Sequence, residues 1–428
     1  MFLVGLAALV QTLVYSIPMA ALSQYVLYRD EVHLRLTQGQ LGVIVAASTG
    51  ATVIAQPLIG RLLVSTVSDK LMLSLGLLIN SVFTLLKAGV VFCRSSPGQL
   101  YAFAIGCHAL ASIGHSMSSI ALYVSLGAYL SDINHLMLPL IEVAIGLGMV
   151  AGPLIGGTLY KAGGGLVTVY AAAGGFGIAS AVLMATLHPG ALKRNCCATV
   201  EDGPNGKDAV TSTSHSTSAA ATYSILLRAP IIVNIIIIAN CYCMLFYNDV
   251  TLTSRLVEVI PDFWQAGYSL AVYSVAGASF AFLGLAFGYL AKVVSDARLL
   301  LLVALVVGAL AWFPTATLFS ARANLVYMYA GQFLIGFAAS PMYVCSYWFT
   351  LKYLGGADDP SVYALVSGAF NPAANLGSAA GQLISNYLSI STDSSTLSLP
   401  IGPDLAMVAM NAMLAVLLVL TMYLPCLR

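Results

Sequence analysis

Two carboxylates stand inside long apolar stretches of this sequence. Of its 16 Asp and Glu residues, Glu142 and Asp249 are the two that we assign to apolar segments. Placing a carboxylate inside a bilayer costs about 3 kcal/mol on insertion scales, so such residues usually have a function. Burial favours the protonated carboxyl, whereas a bound ammonium favours the ionised form. Each residue can therefore exchange a proton for a cation. The alternatives are that Glu142 anchors helix packing and that Asp249 is solvated near a helix end.

A second titratable feature is a pair of histidines, His108 and His115, which are seven residues apart. This spacing places them on nearly one face of a helix, together with Ser112 and Ser119. Histidine titrates in the range that a proton-coupled process uses. The alternative is two neutral histidines that are hydrogen-bonded within the protein. The spacing does not suit a metal ion, and no third ligand is evident, so we expect no metal site.

Further polar and aromatic residues in apolar segments are candidates for binding an organic solute. Aromatic rings such as those of Tyr343 and Tyr347 can hold a cation by cation–π attraction, although they are also ordinary packing residues. Asn371 and Asn375 are four residues apart and share a helix face, from which they can bind a ligand or bridge helices. Asn248 directly precedes Asp249 and joins the same candidate set.

The composition identifies the solvent as a lipid bilayer. The chain is 59% hydrophobic and 8% charged, whereas soluble domains carry about 25% charged residues. We predict an all-α polytopic membrane protein, because runs of about 20 apolar residues suffice to span a bilayer. The twelve predicted segments are 2–27, 39–61, 71–93, 99–130, 136–160, 165–187, 229–253, 265–291, 298–319, 324–350, 361–388 and 403–426. Within the third of these, Lys87 is expected to extend its ammonium to the membrane interface.

Internal repetition divides the twelve segments into two halves. GRLLVSTVSD at 60–69 matches GYLAKVVSD at 288–296, an offset of 288 − 60 = 228. A second match pairs Leu147 with Leu376, an offset of 376 − 147 = 229. We therefore predict a six-helix half over 1–187, a flexible polar linker over 188–228 and a second six-helix half over 229–428.

The basic residues indicate an orientation. With a cytoplasmic N-terminus, ten Lys and Arg residues lie on the cytoplasmic side and six on the opposite side. This bias favours cytoplasmic termini and a cytoplasmic linker.

No motif of an enzyme is present. The sequence contains no GxxxxGK[ST], HExxH or GxSxG, and we expect neither catalysis nor a cofactor. The net charge of +1 argues against a nucleic-acid partner.

A glycine-rich segment carries the most specific likeness. GLGMVAGPLIGGTLYKAGG at 146–164 resembles the antiporter motif in the fifth helix of the major facilitator superfamily. The superfamily is built from two six-helix halves related by a parallel repeat. Gly148, Gly152, Pro153, Gly156 and Gly157 are the expected gating residues. Glu142, NDVTLTSRL at 248–256 and LVSGAFNPAANLGSAAG at 365–381 resemble the vesicular amine transporter family, and its polyamine branch most.

The resemblance implies a function and roles for the candidate residues. It implies a transporter that acts by alternating access, with proton-coupled antiport of a small organic cation such as a polyamine. Glu142, His115 and His108 would couple protons. The substrate would contact Asp249, Asn248, Tyr343, Tyr347, Asn371 and Asn375. The alternatives are a broad drug/proton exporter, a facilitative carrier of another small solute and a non-transporting membrane receptor or scaffold. We expect a monomer in a vesicular, endomembrane or plasma membrane.

Two departures from the family pattern limit what the resemblance implies for this chain. Val64, Ser65 and Ser68 replace the acid and bases that are usual after the second helix. The first helix contains no acid of the kind that vesicular monoamine transporters use, and Gln11 is its nearest polar candidate.

Overall fold

The computed structural model describes most of the chain as long helices. The described residues are 2–28, 36, 38–65, 67–93, 96–129, 134–160, 162, 165–188, 228–259, 268–294, 296–315, 325–354, 360–389 and 401–423. The predicted linker lies outside this part except for its first and last residues, His188 and Arg228. The division into 1–187, 188–228 and 229–428 therefore stays a prediction.

Twelve long helices form within the described residues. They are α1 Phe2–Tyr28, α2 Gln38–Ser65, α3 Asp69–Leu86, α4 Pro97–Tyr129, α5 Asn134–Leu159, α6 Gly165–Leu187, α7 Ala229–Val259, α8 Tyr268–Val293, α9 Arg298–Leu310, α10 Leu325–Tyr353, α11 Pro360–Ser389 and α12 Ile401–Tyr423. A 3₁₀ segment, Lys87–Phe92, continues α3, and a four-residue helical turn, Trp312–Thr315, follows α9. Each helix overlaps its predicted segment, so the predicted fold class is confirmed.

Most of these helices are suited to a bilayer by length and composition. Seven contain stretches of 18 to 28 residues that are long and apolar enough to cross a membrane, and α1, α5 and α9 contain shorter apolar stretches. The two others, α4 and α11, carry His108 and His115, and Asn371 and Asn375. Polar residues on a membrane helix are placed against other helices or a cavity rather than against lipid.

The packing follows the repeat predicted from the sequence. In the first half α1 packs on α5, and in the second half the equivalent helix α7 packs on α11. Between the halves, α2 contacts α11 and α8 contacts α5. Under the repeat, α2 corresponds to α8 and α5 to α11. The two principal contacts between the halves are therefore equivalent, as expected for a two-fold pseudosymmetric bundle.

Glycines allow the closest of these contacts. A Cβ placed on Gly152 of α5 would meet Oγ of Ser16 on α1, and one on Gly381 of α11 would meet the carbonyl oxygen of Cys243 on α7. The two glycines are separated by 381 − 152 = 229 residues, which is the repeat offset. Small residues let helix backbones approach closely in membranes, where little else distinguishes a helix contact from a lipid contact.

Candidate functional site

The two carboxylates that the sequence singled out lie on α5 and α7. Glu142 belongs to α5 and Asp249 to α7, but their side chains lie outside the described residues, as does the side chain of Pro153. Their roles therefore remain predictions. The site can be built from the described side chains around them.

A polar cluster joins α1 to α4 in the first half. Nε2 of Gln11 lies 3.1 Å from Nδ1 of His115 and 3.2 Å from its main-chain oxygen, and it also contacts Oγ of Ser119. The ring of Tyr15 lies 6.1 Å from that of His115. Gln11 itself is buried. We call Gln11, Tyr15, His115 and Ser119 the α1–α4 cluster. Its side chains are an amide, a phenol, an imidazole and a hydroxyl, and none is a carboxylate.

The two histidines of α4 have different partners. Nδ1 of His108 donates a hydrogen bond of 2.9 Å to the main-chain oxygen of Ala104 on the same helix, whereas His115 bonds across to α1. Of the two histidines on the predicted common face, one therefore forms a hydrogen bond within its own helix and the other connects two helices. His115 is therefore the histidine of the pair that lies at a contact between helices.

An aromatic cluster lies at the interface between the halves. The hydroxyl groups of Tyr123 on α4 and Tyr343 on α10 lie 3.0 Å apart. Tyr347, one turn after Tyr343, stacks on Tyr123 with ring centroids 6.2 Å apart. Its hydroxyl also bonds to Oγ of Ser367 on α11, and its ring packs edge-on against Phe370 at 5.2 Å. Tyr343 and Tyr347, both predicted to bind substrate, are thus buried in contacts between the two halves.

The predicted asparagines fall into two environments. Asn248 forms a reciprocal amide pair with Gln332 of α10, with both hydrogen bonds 2.8 Å long. Asn371 and Asn375 on α11 are half-buried, and within the described residues Nδ2 of Asn371 has no partner. Among the predicted asparagines, Asn371 is therefore the one with a donor to spare in the described part of the chain.

Two buried acids were missed by the sequence reasoning. Asp404 at the start of α12 accepts a hydrogen bond of 2.9 Å from the hydroxyl of Tyr247. Asp69 at the start of α3 accepts one of 3.0 Å from Ser125 near the end of α4. Asp404 is the second residue of the predicted segment 403–426, so its position in a span was available from the sequence.

The repeat also relates Asp69 to Asp296, which is paired differently. Asp296 lies between α8 and α9 and forms an ion pair with Arg298, with the closest nitrogen and oxygen 2.7 Å apart. Burial raises the pKa of Asp296, but the hydrogen bonds and charge of Arg298 outweigh burial and hold its pKa below the usual value. The guanidinium also lies over the ring of Phe349 on α10 at 5.4 Å. Arg298 thus links Asp296, in the α8–α9 connection, to α10.

The glycine motif contacts both halves. Gly148, Gly152 and Gly156 face α1, where a Cβ would meet Thr12, Ser16 and Ile17 respectively. Gly157 is half-buried.

Gly146, two residues before Gly148, meets the opposite half. A Cβ on Gly146 would lie 2.5 Å from Cβ of Ala281 on α8. The hydroxyl of Ser274 on α8 donates to the main-chain oxygen of Val150 at 3.3 Å. Helix α5 therefore lies in direct contact with α1 on one side and with the second half on another.

No metal centre is formed by the described residues. Within them, no group of three or more His, Cys, Asp or Glu side chains is close enough to hold an ion. The described side chains of the site are polar and aromatic groups that pack within and between the two helical halves.

Comparison with known proteins gives the family. The chain has the fold of a nucleoside transporter, NupG, whose D323A mutant crystal structure it matches with a TM-score of 0.67 and 11% sequence identity over 98% of each chain. No curated protein sequence matches the chain significantly. The family model of the Major Facilitator Superfamily matches residues 4–382. The chain is therefore a multi-pass membrane transporter that belongs to the Major Facilitator Superfamily.

Proposed function

We propose that this transporter exchanges protons for a small organic cation, such as a polyamine or another amine, by alternating access. The observation that carries the proposal is the double contact of α5. Its glycines meet α1 within their own half and Gly146 meets Ala281 of the other half. A helix packed this closely against both halves has to rearrange when the halves rock. Glu142 lies on this same helix, four residues before Gly146.

The carboxylates of Glu142 and Asp249 are the groups that exchange a proton for a cation in this proposal. Residues four apart share a helix face, so the spacing favours a position for Glu142 near the boundary between the halves. There it would hold either a proton or the ammonium of the substrate, and Asp249 on α7 would assist in attracting the cation. Because one carboxylate cannot hold both, release of one ligand accompanies binding of the other.

The α1–α4 cluster favours a second candidate function. Its amide, phenol and hydroxyl groups suit an uncharged solute with several hydrogen-bonding groups. In that case the protein would be a facilitative carrier, and transport would not depend on a proton gradient. Under either function, we place both termini and the linker on the cytoplasmic side.

The test compares substrates in proteoliposomes that contain a pH-sensitive dye. We expect an inside-acid gradient to drive accumulation of spermidine, and added spermidine to release lumenal protons. An uncharged solute such as uridine should do neither. Accumulation of uridine that is indifferent to the gradient, without accumulation of spermidine, would establish the second candidate instead.

Matched variants assign the roles of the two acids. Glu142→Gln keeps the size and hydrogen bonding of the side chain but cannot titrate. It should strongly lower pH-driven accumulation and retain spermidine exchange at equal pH. Asp249→Asn should weaken spermidine binding more than binding of a neutral analogue. Glu201→Gln in the linker is the control and should behave as the unmodified protein. Full pH-driven accumulation by Glu142→Gln would refute the coupling role.

A further inference from the structure

Lys87 is a buried base in the first half. Of the 17 Lys and Arg residues, the ten and six assigned to the two sides leave Lys87 as the remaining one, inside a predicted segment. It begins the 3₁₀ segment Lys87–Phe92 and is 8% exposed. The side chain is therefore buried within the protein, contrary to the expectation that it extends to the membrane interface.

The ammonium of Lys87 has no partner in the described part of the chain. No hydrogen bond and no ion pair links it to any described residue. Removing an ammonium from water without pairing it costs several kcal/mol. A base kept at such a position is a functional candidate by default.

The described groups around Lys87 offer no negative charge. The 3₁₀ segment packs against α4 and α6. The cysteine and histidine residues of α4 are Cys107, His108 and His115. Tyr170 of α6 is buried in the same cluster as Val90 of the segment, and Cys93 closes the segment itself. The titratable side chains that face Lys87 from the described elements are thus thiols, imidazoles and a phenol, and none is a carboxylate.

This position connects Lys87 to the α1–α4 cluster. His115 lies on α4, the helix against which the 3₁₀ segment packs, and it bonds to Gln11, which also contacts Ser119. Charges interact strongly over several ångströms where water is scarce. An ammonium at Lys87 therefore opposes a cation in this half, whereas the neutral amine does not.

We propose that Lys87 is a second proton-binding site of the transporter. Its Nζ carries a proton when the first half is empty, and it is a neutral amine when a cation occupies that half. Binding of a cation then expels a proton from Lys87 in addition to the proton from Glu142. This proposal rests on the proposed function, because it requires a cationic substrate.

Two substitutions fix the two charge states. Lys87→Arg is always charged, because a guanidinium does not deprotonate in proteins, and Lys87→Met is never charged. Both should lower pH-driven accumulation of spermidine at least tenfold. At equal pH, Lys87→Met should retain spermidine exchange and Lys87→Arg should lose most of it. Lys352→Met, at an exposed lysine, is the control and should change neither.

The outcomes separate this inference from the proposed function. If the unmodified protein does not couple protons to spermidine, both fail. If it does, and either Lys87 variant keeps at least half of the accumulation, only the Lys87 site fails. Loss of exchange in Lys87→Met also overturns it, because the neutral form is the state that binds the cation.

A second measurement avoids dependence on the folding of the Lys87 variants. In Glu142→Gln, spermidine binding should still release protons, as measured by calorimetry in two buffers with different ionisation enthalpies. Adding Lys87→Met should abolish this release. Binding without any proton release in Glu142→Gln alone would overturn the proposal.

Discussion

The hydroxyl oxygens of Tyr123 on α4 and Tyr343 on α10 lie 3.0 Å apart and join the two halves of the molecule by a hydrogen bond. Both residues are buried, and Tyr347 stacks beside them. Asp69 bonds to Ser125 only two residues beyond Tyr123, so the bond lies toward the end of the bundle where α3 begins. Alternating access requires the halves to separate at each end in turn. This bond therefore has to break when that end opens.

Removing one hydroxyl of this pair should favour opening of that end. Tyr343→Phe deletes a hydrogen bond worth about 1 kcal/mol, which is roughly a fivefold change in a two-state equilibrium. Spin labels on Leu71 and Leu299, exposed residues near the starts of α3 and α9, report the separation of the halves there. In a background without other reactive cysteines, the longer distance should gain population.

The control for this prediction is Tyr327→Phe, which alters an exposed tyrosine of the same helix. It should leave the distance distribution unchanged. Tyr123→Phe combined with Tyr343→Phe should do no more than the single variant, because both remove one bond. An unaltered distribution in Tyr343→Phe would show that the bond does not hold the end closed.

Small side chains added to the glycine face of α5 should impair transport. In Gly152→Ala the new Cβ would meet Oγ of Ser16 and lie 3.0 Å from the main-chain nitrogen of Ile17, so α1 and α5 would have to separate. Overpacking of this kind costs about 1–3 kcal/mol. We expect membrane insertion to persist while the transport rate falls more than tenfold. The repeat-related Gly381→Ala should have a similar effect.

A neighbouring helix offers the control for the glycine prediction. Gly175 of α6 has nothing within 4 Å of an added Cβ, so Gly175→Ala should leave transport intact and slightly stabilise the helix. Equal transport rates in Gly152→Ala and Gly175→Ala would remove the reason for assigning a gating role to the motif.

The buried pair of Tyr247 and Asp404 should contribute to stability. The ring of Tyr247 packs edge-on against Trp312 at 5.3 Å while its hydroxyl donates to the carboxylate. Tyr247→Phe removes a donor from a buried acid, which costs about 1–3 kcal/mol. Asp404→Asn keeps an acceptor oxygen and should cost less. Thermal unfolding in detergent should therefore rank the unmodified protein above Asp404→Asn and Asp404→Asn above Tyr247→Phe, and the reverse order of the two variants would contradict the pairing.

The ion pair of Asp296 and Arg298 should make a pH-dependent contribution. The pKa of Asp296 is held below its usual value of 3.8, so its stabilisation is complete above that value and is lost as the pH falls through the lower folded-state pKa. At pH 7, Asp296→Asn should lower stability by at most about 1 kcal/mol, since the pair is partly exposed. The difference in unfolding temperature from the unmodified protein should shrink below pH 4. A difference that grows in acid would refute this assignment.

Much of the fold could be predicted from the sequence because a bilayer imposes a local rule. Each span needs about 20 apolar residues, whichever helix it packs against. The bounds of α6, Gly165–Leu187, coincide with the predicted segment. Gly152 and Gly381, at the repeat offset, mark helix contacts because small residues are what such contacts require. The glycine motif and the twelve helices could therefore be predicted from the sequence.

The partners of individual side chains were decided only by the tertiary structure. Lys87 was expected at the interface and is buried, Asp404 was overlooked, and nothing in the sequence pairs Tyr123 with Tyr343 across 220 residues. The physical reason is that a helix that is apolar on all sides has no polar face to fix its rotation about its axis. That rotation is set by how the neighbouring helices pack, and it determines which polar groups meet.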